Sequence, residues 1–172
     1  MLLTLPEIKA KVDLLAEKIG ASQHILPTYG FSRGDGHPHI DIGSQGYYYL
    51  CVERDAVGDR LVTNDIDELL YKIFSYVAWE LAYEYASVHR KKNQDFRRDL
   101  FQHQVELLSI LSSQWAEREA KAHEEILQQN PFDDYASARL TLIRQLREQG
   151  ISQEVASGMA EKQYPRPSDL QG

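Results

Sequence analysis

Residues 39–63, HIDIGSQGYYYLCVERDAVGDRLVT, decide the fold. His39-Ile40-Asp41-Ile42 alternates apolar and polar side chains, and Gly46 opens the run Tyr47-Tyr48-Tyr49-Leu50-Cys51-Val52. Successive side chains of an extended chain point to opposite faces, so Tyr47, Tyr49 and Cys51 share one face. Asp55 to Asp59 holds a turn with Gly58, after which Arg60-Leu61-Val62-Thr63 returns. Short runs of this composition with tight connections predict an antiparallel sheet of about three strands.

On either side the period becomes helical. Upstream, Thr4 caps a helix, Pro6 suits its first turn and Glu7 completes a capping box. Ile8, Val12, Leu15 and Ile19 follow at helical spacing, and Gly20 supplies the stop. A loop rich in Gly, Pro and His runs from Ala21 to about His37. Downstream, Asn64 with Asp67 resembles a cap, and the chain is helical almost to its end. Helices are expected to about Arg90, from Asp95 to Leu111, from Gln114 to about Gln129 and from Tyr135 to Gln149. Asn130-Pro131-Phe132-Asp133-Asp134 is a hard stop and a new cap, and Ser152 caps a last short helix. The fold class is therefore α+β, a small antiparallel sheet packed against a mainly helical C-terminal half. Residues 1–134 form the domain, and 135–172 a helical extension whose tail, with Pro165 and Pro167, is frayed.

The 172 residues, 42% hydrophobic and 26% charged, suffice for one compact core. A net charge of −7 disfavours nucleic-acid backbones and favours a basic protein partner, whose encounter it accelerates. Ten tyrosines lean the same way, since Tyr enriches protein interfaces. The single cysteine, Cys51, excludes a disulfide framework and reads as strand core. Charged residues follow Met1-Leu2-Leu3-Thr4-Leu5-Pro6 without a signal-peptide core, and the apolar runs are too short for a bilayer. A cytoplasmic protein without a membrane partner is expected; a homo-oligomer is left open.

The helix after Asp65 carries a stripe of Ile66, Leu69, Leu70, Ile73, Val77, Leu81 and Val88, with Tyr76, Trp79 and Tyr83 on another side. Glu80 and Glu84 fall within that stripe, and burying bare carboxylates costs several kcal/mol. The next helix carries Arg97 and Gln104 within its own apolar stripe. Antiparallel pairing through the polar turn near Lys91 sets Glu84 against Arg97, and Glu80 against Gln104 or His103. A semi-buried polar network of Glu80, Glu84, Arg97, His103 and Gln104 follows. The rival, a carboxylate-bridged metal site, wants Glu-x-x-His pairs, and the sequence has none.

Other constellations carry less. His37-Pro38-His39 offers two imidazoles without an organised third ligand. Gly30 to Gly36 has glycines but no following Lys-Ser/Thr, and no Gly-x-Ser-x-Gly elbow occurs. Arg90-Lys91-Lys92 with Arg97-Arg98 is the concentrated basic patch, and Leu140 to Ala160 superficially resembles a helix-turn-helix. Together these motivate the alternative of a nucleic-acid-associated regulator, with nucleic acid the disfavoured partner. No catalytic residue, metal or cofactor is expected.

The run Arg60 to Phe74, then Tyr85 to Arg90, Asp95 to Phe101, Gln104 to Leu108, Trp115 to Arg118, Glu125 to Leu127 and Pro131 to Asp134 resembles the Immunity protein 63 family of bacterial polymorphic toxin systems. With the strand Tyr47 to Arg54, the likeness covers roughly residues 40 to 134. An acidic residue often follows the family's tyrosine matching Tyr85, where this chain has Ala86. The resemblance implies a non-enzymatic antidote that neutralises a cognate toxin by direct binding. Candidate toxin-binding residues are surface-facing Tyr47 and Tyr49 of the sheet, Asp65 and Glu68 at the helix start, and Asp133 and Asp134.

Overall fold

The computed structural model describes residues 1–54 and 56–170. Helix α1 spans Leu5–Lys18, and the Thr4–Glu7 capping box forms, the Glu7 carboxylate accepting from the Thr4 amide at 2.7 Å. Strands β1 (Thr28–Tyr29), β2 (Asp35–Gly43), β3 (Gly46–Glu53) and β4 (Ala56–Thr63) follow in a sheet of order β1-β2-β3-β4. Helices α2 (Ile66–Val88), α3 (Phe96–Leu111), α4 (Ser113–Gln129), α5 (Ala136–Glu148) and α6 (Gln153–Gln163) complete the chain. The architecture is α+β with a mostly helical C-terminal half.

Three antiparallel strands do form, and the loop after α1 adds a fourth, since two-residue β1 pairs parallel to β2 through Thr28–His39 and Tyr29–Ile40. A strand that short has no periodicity to read. The turn expected from Asp55 begins at a residue outside the described ones. From Ala56 onward the chain is already strand, and Gly58 lies where the register slips between Leu50–Arg60 and Val52–Val57. An extra residue there makes a bulge, the place where a strand tolerates glycine. Gly46 is needed for a different reason. It has φ +116°, and a Cβ would overlap the Thr63 carbonyl of the neighbouring strand.

Directly opposed residues of an antiparallel pair share a face. Pro38–Cys51, Ile40–Tyr49 and Ile42–Tyr47 therefore line one side of the sheet, while Tyr48, Leu50, Val52 and Val62 line the other. The first side meets the helices. Ile40, Tyr47 and Tyr49 join Ile8, Val12 and Ala16 of α1 and Leu69, Ile73, Phe74 and Val77 of α2 in the main core. Trp115 of α4 closes it, stacked on Phe74 at 6.1 Å. Each large side chain so buried contributes about 1.5–3 kcal/mol.

Helix α2 changes its buried face midway. Leu69, Leu70, Ile73, Phe74 and Val77 face sheet and α1 in the first half, whereas the second half buries Ala78, Ala82 and Ala86. These alanines stand at i, i+4, i+8 and let α3 approach closely, Leu100 filling the seam with Phe96 and Phe101 against it. Tyr83 meets Phe96 edge-on at 5.2 Å and the Gln104 amide reaches the Ser75 carbonyl at 3.0 Å, so α2 and α3 run antiparallel. Val88, expected in the apolar stripe, is 76% exposed.

Candidate partner-binding surfaces

The helix termini are fixed by side chains close to the expected positions. Asp65, one residue after Asn64, caps α2 by accepting from the Asp67 amide at 2.8 Å. Asp95 caps α3 and Ser112 caps α4. Asp67 receives the Trp115 indole N–H at 3.2 Å, and Glu68 accepts two bonds from Arg118, the shorter 2.6 Å. The Arg118 guanidinium also lies over the Tyr71 ring at 3.9 Å. Asp65 stands exposed and Glu68 half-buried at this corner.

Tyr47 and Tyr49 do not face outward. They are 2% and 1% exposed, the Tyr47 hydroxyl accepting from the Leu3 amide at 2.7 Å. Their alternation is as expected, but the face they share is the one that α1 and α2 cover. The outward tyrosine of this run is Tyr48, whose ring lies against Gly43, where a Cβ would come within 2.7 Å. Burial holds the Cys51 thiol above its ordinary pKa, which keeps it protonated and unreactive.

Glu80 and Glu84 also belong elsewhere than in a buried network. Glu84 is exposed and Glu80 half-buried beside Tyr76, whose hydroxyl is pushed up to about 12 by burial and then by its hydrogen bond with Glu80. Sheet and α1 cover only the first half of α2, and the alanine ridge turns the second half's buried side away from these two carboxylates. Arg97 pairs with Asp95 at 2.8 Å and donates to the Asn130 and Pro131 carbonyls, not to Glu84. His103 stacks on Tyr85 at 4.2 Å with Glu106 nearby, not Glu80.

Gln104 alone of the expected network lies in a buried one. That cluster centres on Glu119 of α4, which accepts from the hydroxyls of Tyr71 and Ser75 at 2.8 Å each and from the Gln104 amide at 3.2 Å. His123 completes it at 3.0 Å from the Gln104 carbonyl oxygen. The Gln104 amide nitrogen already donates twice, so His123 Nε2–H is the donor in that contact. Burial, partly opposed by Glu119, holds His123 below the ordinary imidazole pKa, consistent with a neutral ring stacked on Phe101 at 4.0 Å. Every oxygen of Glu119 is thus committed to neighbours within the fold, and the cluster fastens α2, α3 and α4 together. Alternate placement of Glu119 and His123 one helical turn apart was the available signal in the sequence.

Asp133 and Asp134 sit in a second polar cluster. Asp134 accepts two bonds from Arg98, at 2.7 and 3.0 Å, and one from the Asp95 amide at 2.9 Å. Asp95 in turn accepts from the Asp133 amide at 2.8 Å. Burial works to raise the Asp95 carboxyl, but the Arg97 side chain and two amides outweigh it and hold the group below its ordinary value. Arg139 of α5, 5% exposed, pairs with Asp133 and donates to the Tyr164 carbonyl at 2.7 Å. Both aspartates therefore join the start of α3 to the α4–α5 link, and through Arg139 to the C-terminal tail.

Chemically, neither cluster presents a nucleophile with a base to an open cleft. Among the described residues no three His, Cys, Asp or Glu side chains converge as a metal-binding group, and no helix is long and apolar enough to cross a membrane. What remains open is a set of surfaces: the outer side of the sheet, the Asp65–Glu68 corner and the outer side of α2. No curated protein and no solved structure matches the chain. Residues 43–125, from the end of β2 through most of α4, match the model of the family described as Immunity protein 63. Over that stretch, just under half of the chain, the sequence is similar to the Immunity protein 63 family.

Proposed function

We propose that the chain is an immunity protein that neutralises a cognate bacterial toxin in the cytoplasm by direct, stoichiometric binding. The observation that carries this reading is the family match over residues 43–125. That stretch contains β3, β4, α2 and α3 whole, so the matched segment is a packed unit and not an isolated word. The polar clusters fit a scaffold, because their charged groups answer one another and leave none aimed at a substrate. Residues 135–170 act in this reading as a helical extension clamped on by Arg139. Of the residues singled out for toxin contact, Asp65 and Glu68 keep accessible carboxylates, whereas Tyr47 and Tyr49 do not.

The test is co-expression with the C-terminal domain of the large secreted protein expected from the neighbouring reading frame. Induction of that domain alone should abolish growth, and this chain should restore it; persistent killing despite soluble expression of both would count decisively against immunity. A second reading, nucleic-acid regulation, has one observation in its favour. Arg90, Lys91 and Lys92 line a groove closed by Gln145 of α5 and by Tyr164. Two of those cations are engaged, Arg90 over Phe96 at 5.1 Å and Lys91 with Asp99 at 2.9 Å. A gel shift at low salt that disappears in Lys92→Glu would revive it.

A further inference from the structure

The outer side of α2 combines features that a free monomer surface rarely gathers. Around a helix, positions 72, 76, 79, 80, 83, 84 and 87 fall in one sector, which the sheet covers at Leu69 and Ile73 in the first half of α2 and which is open from Trp79 onward. Trp79 is 39% and Tyr83 47% exposed, and their rings stack at 5.2 Å. Tyr83 continues edge-on to Phe96, whose other neighbour is the Arg90 guanidinium. The ladder is thus a rigid platform whose rings hold one another in place. Rigid Trp and Tyr side chains lose little entropy when covered, which is why they anchor protein interfaces.

Beside the Trp79–Tyr83 pair the charges are carboxylates, while the Arg90 guanidinium lies over Phe96 at the far end of the ladder. Glu84 is exposed and has no ion-pair partner among the described residues, and Glu80 lies one turn before it beside Tyr76. Asp35, at the start of β2, lies close enough to Tyr76 to help raise its hydroxyl. The cation of the sector, Lys72, is held by Asp59 at 2.6 Å and leans over the Tyr49 ring. An exposed aromatic face bordered by unanswered carboxylates suits an Arg- or Lys-bearing segment, which can sit on the rings by cation–π attraction while pairing with the acids.

We infer that this side of α2, with Trp79 and Tyr83 at its centre and Glu80 and Glu84 along its edge, is the docking surface for a cationic segment of the toxin. The inference rests on the immunity reading and names the surface and the partner chemistry that serve it. It also accounts for two carboxylates that no cation answers inside the fold.

The probe is the purified toxin domain that the co-expression experiment identifies, titrated into the full chain by calorimetry and by tryptophan fluorescence. The chain has two tryptophans and Trp115 is buried at 6% exposure, so the accessible emission reports on Trp79. Binding should shield Trp79 from iodide and caesium quenching. Trp79→Ala should weaken binding at least a hundredfold, and Glu84→Lys at least tenfold, with a shallower dependence on salt. Glu154→Gln, exposed on α6 and outside the matched residues, should stay within threefold of wild type. All three positions lie outside the core, so unchanged thermal melts will accompany the losses. If wild type binds the toxin and either Trp79→Ala or Glu84→Lys binds within threefold of it, the docking surface is elsewhere while immunity stands. If wild type does not bind at all, both readings fall. If Trp79 becomes shielded as the chain alone is concentrated, and Trp79→Ala sediments as a monomer, the platform is a self-contact and the inference is overturned.

Discussion

The two polar clusters solve the same structural problem with opposite materials. At Glu119 one carboxylate is surrounded by neutral donors, the hydroxyls of Tyr71 and Ser75 and the Gln104 amide, and almost all of it is buried. At Asp95 and Asp134 carboxylates meet the guanidiniums of Arg97 and Arg98, with side chains up to 43% exposed. The difference teaches where stability is concentrated. In the buried cluster each lost partner strands groups that water cannot reach, whereas at the rim water substitutes for much of what is removed. Both tie α3 to its neighbours, but only the first lies where three helices converge.

The sharpest way to break the comparison is Glu119→Leu. It removes the acceptor shared by the half-buried Tyr71 and Ser75 hydroxyls and the buried Gln104 amide. The expected cost is about 3–5 kcal/mol, a large part of a small domain's whole stability. Glu119→Gln keeps the shape and an acceptor oxygen and should cost well under half as much. Chemical denaturation of the two variants measures both, and a loss below about 1 kcal/mol for Glu119→Leu would show that the cluster is not a fastening.

Arg139 is the rim cluster's most buried member and comes next. Arg139→Leu strands Asp133 and takes the donor from the Tyr164 carbonyl. Because Asp133 keeps 24% of its side chain exposed, hydration softens the loss to roughly 2 kcal/mol. The readout that distinguishes this site is local. Limited proteolysis should cut the segment after α4 faster than in wild type while the core melts only slightly earlier.

The clusters also respond to acid in separate windows. His123 has its folded pKa lowered, mainly by burial, so the unfolded chain binds the proton more readily. Stability from a neutral His123 is complete above the ordinary imidazole value near 6.5 and declines as pH falls below it, by at most about 1.4 kcal/mol per unit. Asp95 and Asp134 are lowered carboxyls, and Asp134 owes this first to Arg98. Their contribution persists until pH falls through about 4 and is lost below it. Melting temperature followed from pH 7.5 to 3 should therefore fall in two stages, and His123→Gln should flatten the first alone.

Much of this fold was legible because it depends on local chemistry. Thr4 with Glu7, Gly20, Ser112 and Ser152 mark helix ends by capping and turn rules, and the structure keeps helix boundaries within a few residues of them. The failures share one cause, the ranking of faces. Alternation put Tyr47, Tyr49 and Cys51 together, but which side the helices cover is a tertiary fact that period alone does not contain. On α2 the bulky residues outweighed Ala78, Ala82 and Ala86, although small side chains are what permits the close approach of α3. A period weighted by bulk passes over the alanine stripe and sets Glu80 and Glu84 inside. The buried carboxylate, Glu119, lies in a helix with only three large apolar residues, Trp115, Ile126 and Leu127, so its one signal is His123 a turn further on and not an apolar period.

The smallest expected effect separates neighbours in sequence. Arg97 donates to Asp95 and to two backbone carbonyls, and 29% of its side chain is exposed, whereas Arg98 is 43% exposed and pairs with Asp134 beside the Phe132 ring, 4.2 Å away. Arg97→Leu should cost about 1–2 kcal/mol, since it leaves Asp95 with its two amide donors alone and takes the guanidinium donor from the Asn130 and Pro131 carbonyls. Arg98→Leu should cost below about 1 kcal/mol, because an exposed pair gains little over its hydrated parts. Salt separates the mechanisms further. At 1 M ionic strength the Arg98 deficit should shrink toward zero while most of the Arg97 deficit remains, since screening removes Coulomb attraction and does not restore a donor to a carbonyl. Equal melts for the two variants at both salt concentrations would mean that the rim cluster is held by its packing around Phe132 and not by its charges.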